Sequence, residues 1–155
     1  MNKMMLVNIL LFFALGIVIT GCDNTKTVEK TLKCSKTSNS GMETAGEATI
    51  NASVGFDKNE KPKKASLEVI ITVDKIEVNE EKMKSLESHF KDAICGSEGY
   101  IPSENCESKI DGNKVIFNGK GDFNDIWYNY DGEESIEDYK KFLESHEEMT
   151  CSVEE

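Results

Sequence analysis

Alternation between apolar and polar side chains is the feature that most restricts the fold of this chain. From residue 48 to residue 56 every second side chain is apolar: Ala48, Ile50, Ala52, Val54 and Phe56. Because successive side chains of a strand point to opposite faces, this pattern predicts a half-buried antiparallel strand. A polar turn at residues 57–62 and a second apolar series, Leu67, Val69, Ile71 and Val73, predict that the next strand returns beside it.

Shorter strands are predicted near both ends of the chain and around one tight turn. Residues 28–34 also alternate, with Cys34 on the inward side, whereas residues 35–46 are rich in Ser, Thr and Gly and are typical of a loop. Asp111-Gly112 favours a hairpin because this dipeptide tolerates the positive φ of a tight turn, and Val115 and Phe117 continue the strand. Residues 149–153 would add a short edge strand near Cys151.

Two segments change to helical periodicity. Asn79 is the expected N-cap of the first helix, Met83, Leu86, Phe90 and Ile94 form its apolar stripe, and Gly96 ends it. Ser135 and Asp138 resemble a capping box at the start of the second helix, which carries Ile136, Tyr139, Phe142 and Leu143. The fold class is therefore α+β: an antiparallel β-sheet with two amphipathic helices packed on one face.

The N-terminal residues have the pattern of an export signal. Lys3 is followed by sixteen uncharged residues, Met4 to Ile19, and then by Thr20-Gly21-Cys22. Ile19 to Cys22 resembles a bacterial lipobox, in which the Cys becomes lipidated after the signal peptide is removed. An uncleaved transmembrane anchor needs about 20 apolar residues, and an ordinary signal peptide does not need Cys as the first mature residue.

This pattern predicts the organisation and the location of the chain. Residues 1–21 are a lipoprotein signal peptide, residues 22–26 a lipidated tether, and residues 27–155 a single α+β domain. A diacylglycerol on Cys22 supplies the two acyl chains that stable anchoring needs. We therefore expect a protein anchored in the cell membrane by its lipid, on the extracytoplasmic face.

Four cysteines remain for the mature domain: Cys34, Cys95, Cys106 and Cys151. An even number in a small exported domain implies disulfide bonds, with three possible connectivities. Cys95 and Cys106 would close a short local loop, which leaves Cys34 near the start of the domain to pair with Cys151 near its end. Free or metal-bound thiols are the alternative, although no C-x-x-C pair is present.

The charge balance restricts the partners. The net charge is −11, and all 18 basic residues are lysines, so the chain lacks the guanidinium groups that bind phosphate in a bidentate way. A strongly acidic protein repels nucleic acid, and we expect no nucleic-acid partner.

One aromatic run is the candidate binding patch: Phe123, Trp127, Tyr128 and Tyr130. If the run is a strand, Phe123 and Trp127 face one way and Tyr128 and Tyr130 the other. Exposed aromatic side chains flanked by Asp and Asn would stack on sugar rings or bind a protein, and packing in the core is the alternative.

Motifs of catalysis and of metal binding are not recognisable. His89 and His146 belong to no known ligand spacing, and the acidic residues 122–134 do not follow the spacing of a calcium-binding loop. We therefore expect no catalytic residues, no metal and no cofactor.

The lipobox, Thr31-Leu32-Lys33-Cys34 soon after it and the terminal Thr150-Cys151 resemble a group of small lipoproteins of low-GC Gram-positive bacteria, similar to the YehR-like family. The resemblance implies the location and the fold and carries over no activity. The sequence predicts a non-enzymatic envelope lipoprotein that binds an unidentified protein or small molecule. An extracytoplasmic carrier, with its small ligand in a groove between helices and sheet, is the alternative.

Overall fold

A computed structural model describes residues 28–39, 46–74, 76–96, 99–127 and 134–155. These residues form a six-stranded antiparallel sheet in the order β4-β5-β3-β2-β1-β6. The strands are β1 (Lys30–Ser38), β2 (Gly46–Phe56), β3 (Pro62–Val73), β4 (Cys106–Asp111), β5 (Lys114–Asp122) and β6 (Thr150–Glu154). The α+β class and the predicted β2–β3 pair are confirmed.

The strands extend further than the sequence predicts. β1 continues to Ser38, because residues 35–38 pair with β2, so the predicted loop from residue 35 is wrong over these positions. β3 begins at Pro62 rather than near Leu67. Pairing with a neighbouring strand therefore outweighs the polar composition of both segments.

A polar turn joins β2 to β3. The Asp57 carboxylate accepts hydrogen bonds from the backbone N–H of Asn59 at 2.9 Å and of Lys61 at 3.0 Å, and Glu60 has a φ of 58°. An Asp side chain that bonds to nearby backbone donors stabilises such turns locally.

The first helix, α1 (Glu80–Cys95), begins and ends as predicted. Asn79 Oδ1 accepts a hydrogen bond from the Lys82 N–H at 2.9 Å, and Gly96 follows the last helical residue. Met83 and Ile94 are buried against β3 and β5 side chains that include Val69 and Phe117.

The hairpin of β4 and β5 forms where it is predicted, but its turn residues are Gly112 and Asn113 rather than Asp111 and Gly112, because Asp111 still pairs with Lys114. Gly112 has a φ of +58°, and the turn places glycine at the first central position, where type II′ hairpin turns have it. After β5 the chain forms a single helical turn, α2 (Phe123–Ile126). The last helix, α3 (Ile136–His146), starts with the predicted capping box of Ser135 and Asp138.

The apolar interior of the described residues consists of two clusters on the sheet. Leu32, Val54 and Ala65 of the strands pack with Tyr139 and Leu143 of α3 in the first cluster. Val69, Ile71 and Val115 pack with Met83 and Ile94 of α1 in the second. β6 lies beside β1 at the edge of the sheet, so the predicted C-terminal strand is confirmed.

Candidate functional site

The face of the sheet that points away from the two apolar clusters is mostly polar, although the paired Ile70 and Ile116 also lie on it. Since side chains alternate along each strand and paired residues share a face, the register assigns each residue to a side. One row crosses the sheet at the level of Lys33, which pairs with Ser152 on one side and with Ser53 on the other. The row continues from Ser53 to Ser66 and from Ser66 to Lys120.

A second row runs parallel to the first at the level of Ser35. It links Ser35 to Thr150 in β6 and to Asn51 in β2, and Asn51 pairs with Glu68. The row then passes to Asn118 and ends at Glu107 in β4. We call the two rows together the polar face: Lys33, Ser35, Asn51, Ser53, Ser66, Glu68, Glu107, Asn118, Lys120, Thr150 and Ser152.

The polar face is the floor of an open cavity of about 830 Å³. Glu104 and Asn105, in the short 3-10 helix before β4, contribute to its wall. The cavity volume is within the range of ligand-binding clefts. Hydroxyl, amide and charged groups line it together with apolar residues such as Ala52 and Leu67, so its lining is more polar than is usual for small-molecule pockets.

The charges on this floor are of both signs. Asn51 Nδ2 donates a hydrogen bond to Glu68 Oε2 at 2.9 Å, which fixes the carboxylate near the centre of the sheet. Lys33 Nζ lies 2.6 Å from Glu154 Oε2 at the β6 side. Lys120 is exposed and forms no ion pair with the part of the chain that the structure describes. The cavity therefore has cations at two sides and an anchored carboxylate between them.

Two disulfide bonds hold the strands that border the cavity, and both predicted pairings are confirmed. Cys34 and Cys151 join β1 to β6 across a sequence separation of 117, with their Cα atoms 4.1 Å apart. Cys95 and Cys106 join the end of α1 to the start of β4, with Cα atoms 5.6 Å apart. The first bond holds β6, which carries Thr150 and Ser152 of the polar face, against β1. The second holds β4, which carries Glu107, against the end of α1.

Groups with a displaced pKa lie at a turn and at helix starts rather than in the cavity. Backbone hydrogen bonds, above all from Lys61, lower the pKa of Asp57. The Ser135 hydroxyl and backbone N–H lower the pKa of Asp138, and the ion pair with Lys84 lowers the pKa of Glu80 and raises that of Lys84. The shifted pKa values of Asp57 and Asp138 result from turn and capping geometry, and those of Glu80 and Lys84 from an ion pair between neighbouring turns of α1.

The predicted aromatic patch is wrong for two of its four residues. Phe123 and Trp127 are 3% and 8% exposed, and their rings lie 5.5 Å and 6.3 Å from the ring of Tyr139. The chain is helical at residues 123–126, so the predicted strand does not form there and Ile126 turns into the same cluster. Tyr128 and Tyr130 lie outside the described residues.

Several other predictions also fall outside the described residues. The signal peptide, the tether and Cys22 belong to residues 1–27, which are not described.

None of the described helices has the length and apolar composition that a bilayer crossing requires. In the same ranges, His, Cys, Asp and Glu side chains form no group of three or more that is arranged to hold a metal ion. His146 stacks on Phe142, with ring centroids 4.8 Å apart.

The polar face was not predicted as a site, although the alternation of polar residues in β2 indicates part of it. Thr49, Asn51 and Ser53 alternate with the buried side chains of β2, which marks an exposed face. Which strands extend that face depends on the strand order. The full order could not be read from the chain, because β3 pairs with β5, and α1 and β4 lie between these two strands in the sequence.

Comparison with known proteins identifies no relative of this chain. The chain matches no protein-family model, and the searches of curated proteins and of solved structures find no match.

Proposed function

We propose that this protein is a non-enzymatic binding lipoprotein, held at the extracytoplasmic face of the membrane by a lipid on Cys22. The N-terminal sequence motif supports the anchor, and the resemblance to YehR-like lipoproteins is part of the same proposal. The two disulfides support an exported protein, because such bonds form and persist in oxidising compartments.

The proposal includes the placement of both long helices on one face of the sheet. Val54 and Ala65 pair in the register, as do Val69 and Phe117, so these side chains point to the same side. The first pair belongs to the cluster of α3 and the second to the cluster of α1. This arrangement leaves the polar face uncovered and available to a partner.

The binding surface in this proposal is the polar face. The observation that carries it is the 830 Å³ cavity over two continuous rows of polar side chains, bordered by strands that disulfides hold in place. An antiparallel sheet with one solvated face is common, and the concavity is the additional feature. A carrier groove between helices and sheet would be on the opposite side from this cavity.

The partner that fits this surface best is a polar segment of another protein. None of the named residues of the polar face is aromatic, so the surface lacks the rings on which sugars stack. It instead presents Lys33 and Lys120 on either side of Ser53 and Ser66, with Glu68 one row away. Alternating charges of this kind give orientation and specificity to protein contacts.

Site-specific photo-crosslinking on intact cells tests this proposal. A photoreactive residue at Ser66 of the full chain should give a discrete adduct with a protein partner. The same residue at Glu144, which is exposed on α3, is the matched control and should give none. Glu68→Lys should reduce the Ser66 adduct by reversing the central charge. Equal adducts at both positions, or an adduct unaffected by Glu68→Lys, would contradict the proposal.

A further inference from the structure

We propose that the free edge of β4 pairs with β4 of a second copy of this chain, so that the protein is a two-fold symmetric dimer. β4 is one end of the sheet, and its only strand neighbour among the described residues is β5. An edge strand presents unpaired backbone groups that can bind another strand.

The register of the hairpin decides which backbone groups face outward. The turn has two residues, Gly112 and Asn113, and Asp111 pairs with Lys114 across it. In such a hairpin the closing pair exchanges its backbone hydrogen bonds, and hydrogen-bonded pairs alternate with non-bonded ones. The N–H and C=O of Ser108 and Ile110 and the C=O of Cys106 are therefore directed away from β5 and toward the open edge. The Cys106 N–H already donates to the carbonyl of Ser103 in the preceding 3-10 helix.

A two-fold axis at Ser108 pairs most of these outward groups. Ser108 then exchanges backbone hydrogen bonds with Ser108 of the partner subunit, and the Cys106 carbonyl accepts a hydrogen bond from the N–H of Ile110 of the partner subunit. Because the axis closes the contact, the pairing ends at two copies and does not extend into a filament.

The side chains of β4 are complementary to themselves in this register. Glu107 comes to lie opposite Lys109 of the partner subunit, in a non-hydrogen-bonded pair, where side chains approach most closely. The symmetry repeats the pair, with Lys109 opposite Glu107 of the partner subunit. Both side chains are exposed, and within the described ranges neither forms an ion pair in the isolated chain.

The other edge of the sheet lacks this complementarity. β6 carries a single charged residue, Glu154, which already pairs with Lys33. Self-pairing of β6 about Ser152 would place Glu154 opposite Thr150, where no charge attracts it. Charge complementarity between two copies is therefore present at the β4 edge and absent at the β6 edge, and it selects β4 as the edge that pairs.

Charge exchange across the edge tests the dimer. The full chain, purified in a density-matched detergent, would be analysed by sedimentation equilibrium. Lys109→Glu or Glu107→Lys alone places like charges opposite each other twice and should raise the dimer Kd by about tenfold or more. The double variant Glu107→Lys/Lys109→Glu restores opposite charges and should return the Kd to near its original value.

Two control variants change the charge equally but lie away from β4. Lys58→Glu is in the β2–β3 turn and Glu144→Lys is on α3, both exposed, and neither should change the Kd by more than about twofold. A chain that is monomeric at all concentrations would overturn the proposal, and the charged edge would then act against pairing. Association that is equally strong in Lys109→Glu, as when two copies share a micelle, would overturn it too.

Discussion

Ile101 lies directly over Gly119, and a Cβ at position 119 would overlap the Cγ2 atom of Ile101. Ile101 is completely buried, and its backbone N–H donates a 2.8 Å hydrogen bond to the carbonyl of Ile94 at the end of α1. The glycine thus lets the segment after α1 pack closely on β5, beside the disulfide between Cys95 and Cys106.

We expect Gly119→Ala to reduce the free energy of unfolding by about 1–3 kcal/mol, because the added methyl group overpacks the core. Ile101→Ala alone should cost about 2–5 kcal/mol. Since the new methyl fills part of the space that Ile101 leaves, the double variant should cost less than the sum of the two. Urea unfolding of all three measures this coupling.

Gly121→Ala is the matched control in the same strand. Its Cβ would lie 3.2 Å from Asn105 Nδ2, the end of a side chain that can move, so the loss should be small. Strictly additive effects of the Gly119 and Ile101 substitutions would contradict the close packing.

The two disulfides should differ in what they contribute to stability. Their removal frees loops that span sequence separations of 117 and 11 residues. The chain-entropy relation gives about 5 kcal/mol for the longer loop and about 3 kcal/mol for the shorter. We therefore expect Cys34→Ala/Cys151→Ala to unfold at lower urea concentration than Cys95→Ala/Cys106→Ala. The reverse order would show that strain or residual structure outweighs loop length.

Asp57 should make stability depend on acid pH. Its pKa is lowered from 3.8 by folding, chiefly by the backbone N–H of Lys61, so the ionised form stabilises the native state. This contribution is complete above the unfolded pKa and is lost as the pH falls through the lower folded pKa. Asp57→Asn should therefore be less stable than the original chain at pH 7, and the difference should narrow below about pH 4.

Urea unfolding at a series of pH values measures that difference. Asp92→Asn, on the exposed side of α1, removes the same charge without these backbone bonds and is the control. If the free energies of unfolding of Asp57→Asn and of the original chain differ by the same amount across the acid range, the carboxylate charge does not stabilise the turn.

The lipid anchor is testable by the intact mass of the protein from its native membrane. We expect residues 22–155 plus diacylglycerol, with four cysteine thiols that alkylate only after reduction. Cys22→Ala should release the protein into the medium or leave unprocessed precursor, because the acyl chains are then missing. Retention of residues 1–21 in the purified protein, or unchanged partitioning of Cys22→Ala into detergent, would contradict the anchor.

Local features of the fold were predictable because their partners are near in the sequence. Asn79 caps α1 through Lys82, three residues away, and Ser135 caps α3 through Asp138 at the same spacing. The hairpin at Gly112 likewise depends on adjacent residues. Such contacts form from the chain's own geometry, so the residue types are sufficient evidence for them.

The sequence left the aromatic run open between an exposed patch and core packing, and the structure shows core packing for Phe123 and Trp127. Phe123 and Trp127 are buried because the chain forms a helical turn after β5 and directs both rings toward Tyr139. Nothing in the alternation of residues 122–128 indicates this turn. Its formation depends on an apolar cluster whose members come from β1, β2, β3 and α3.

Alternation, helix caps and cysteine spacing were sufficient to predict β2 and β3, the starts of both long helices and the two disulfide pairings. The position of β6 beside β1 agrees with the predicted Cys34–Cys151 pair. The position of β5 beside β3, which brings polar residues from six strands onto one face, is known from the folded chain alone. The two kinds of feature differ in the range of the interactions that stabilise them. Caps and turns are fixed by bonds within a few residues, whereas strand order depends on the packing of the whole chain.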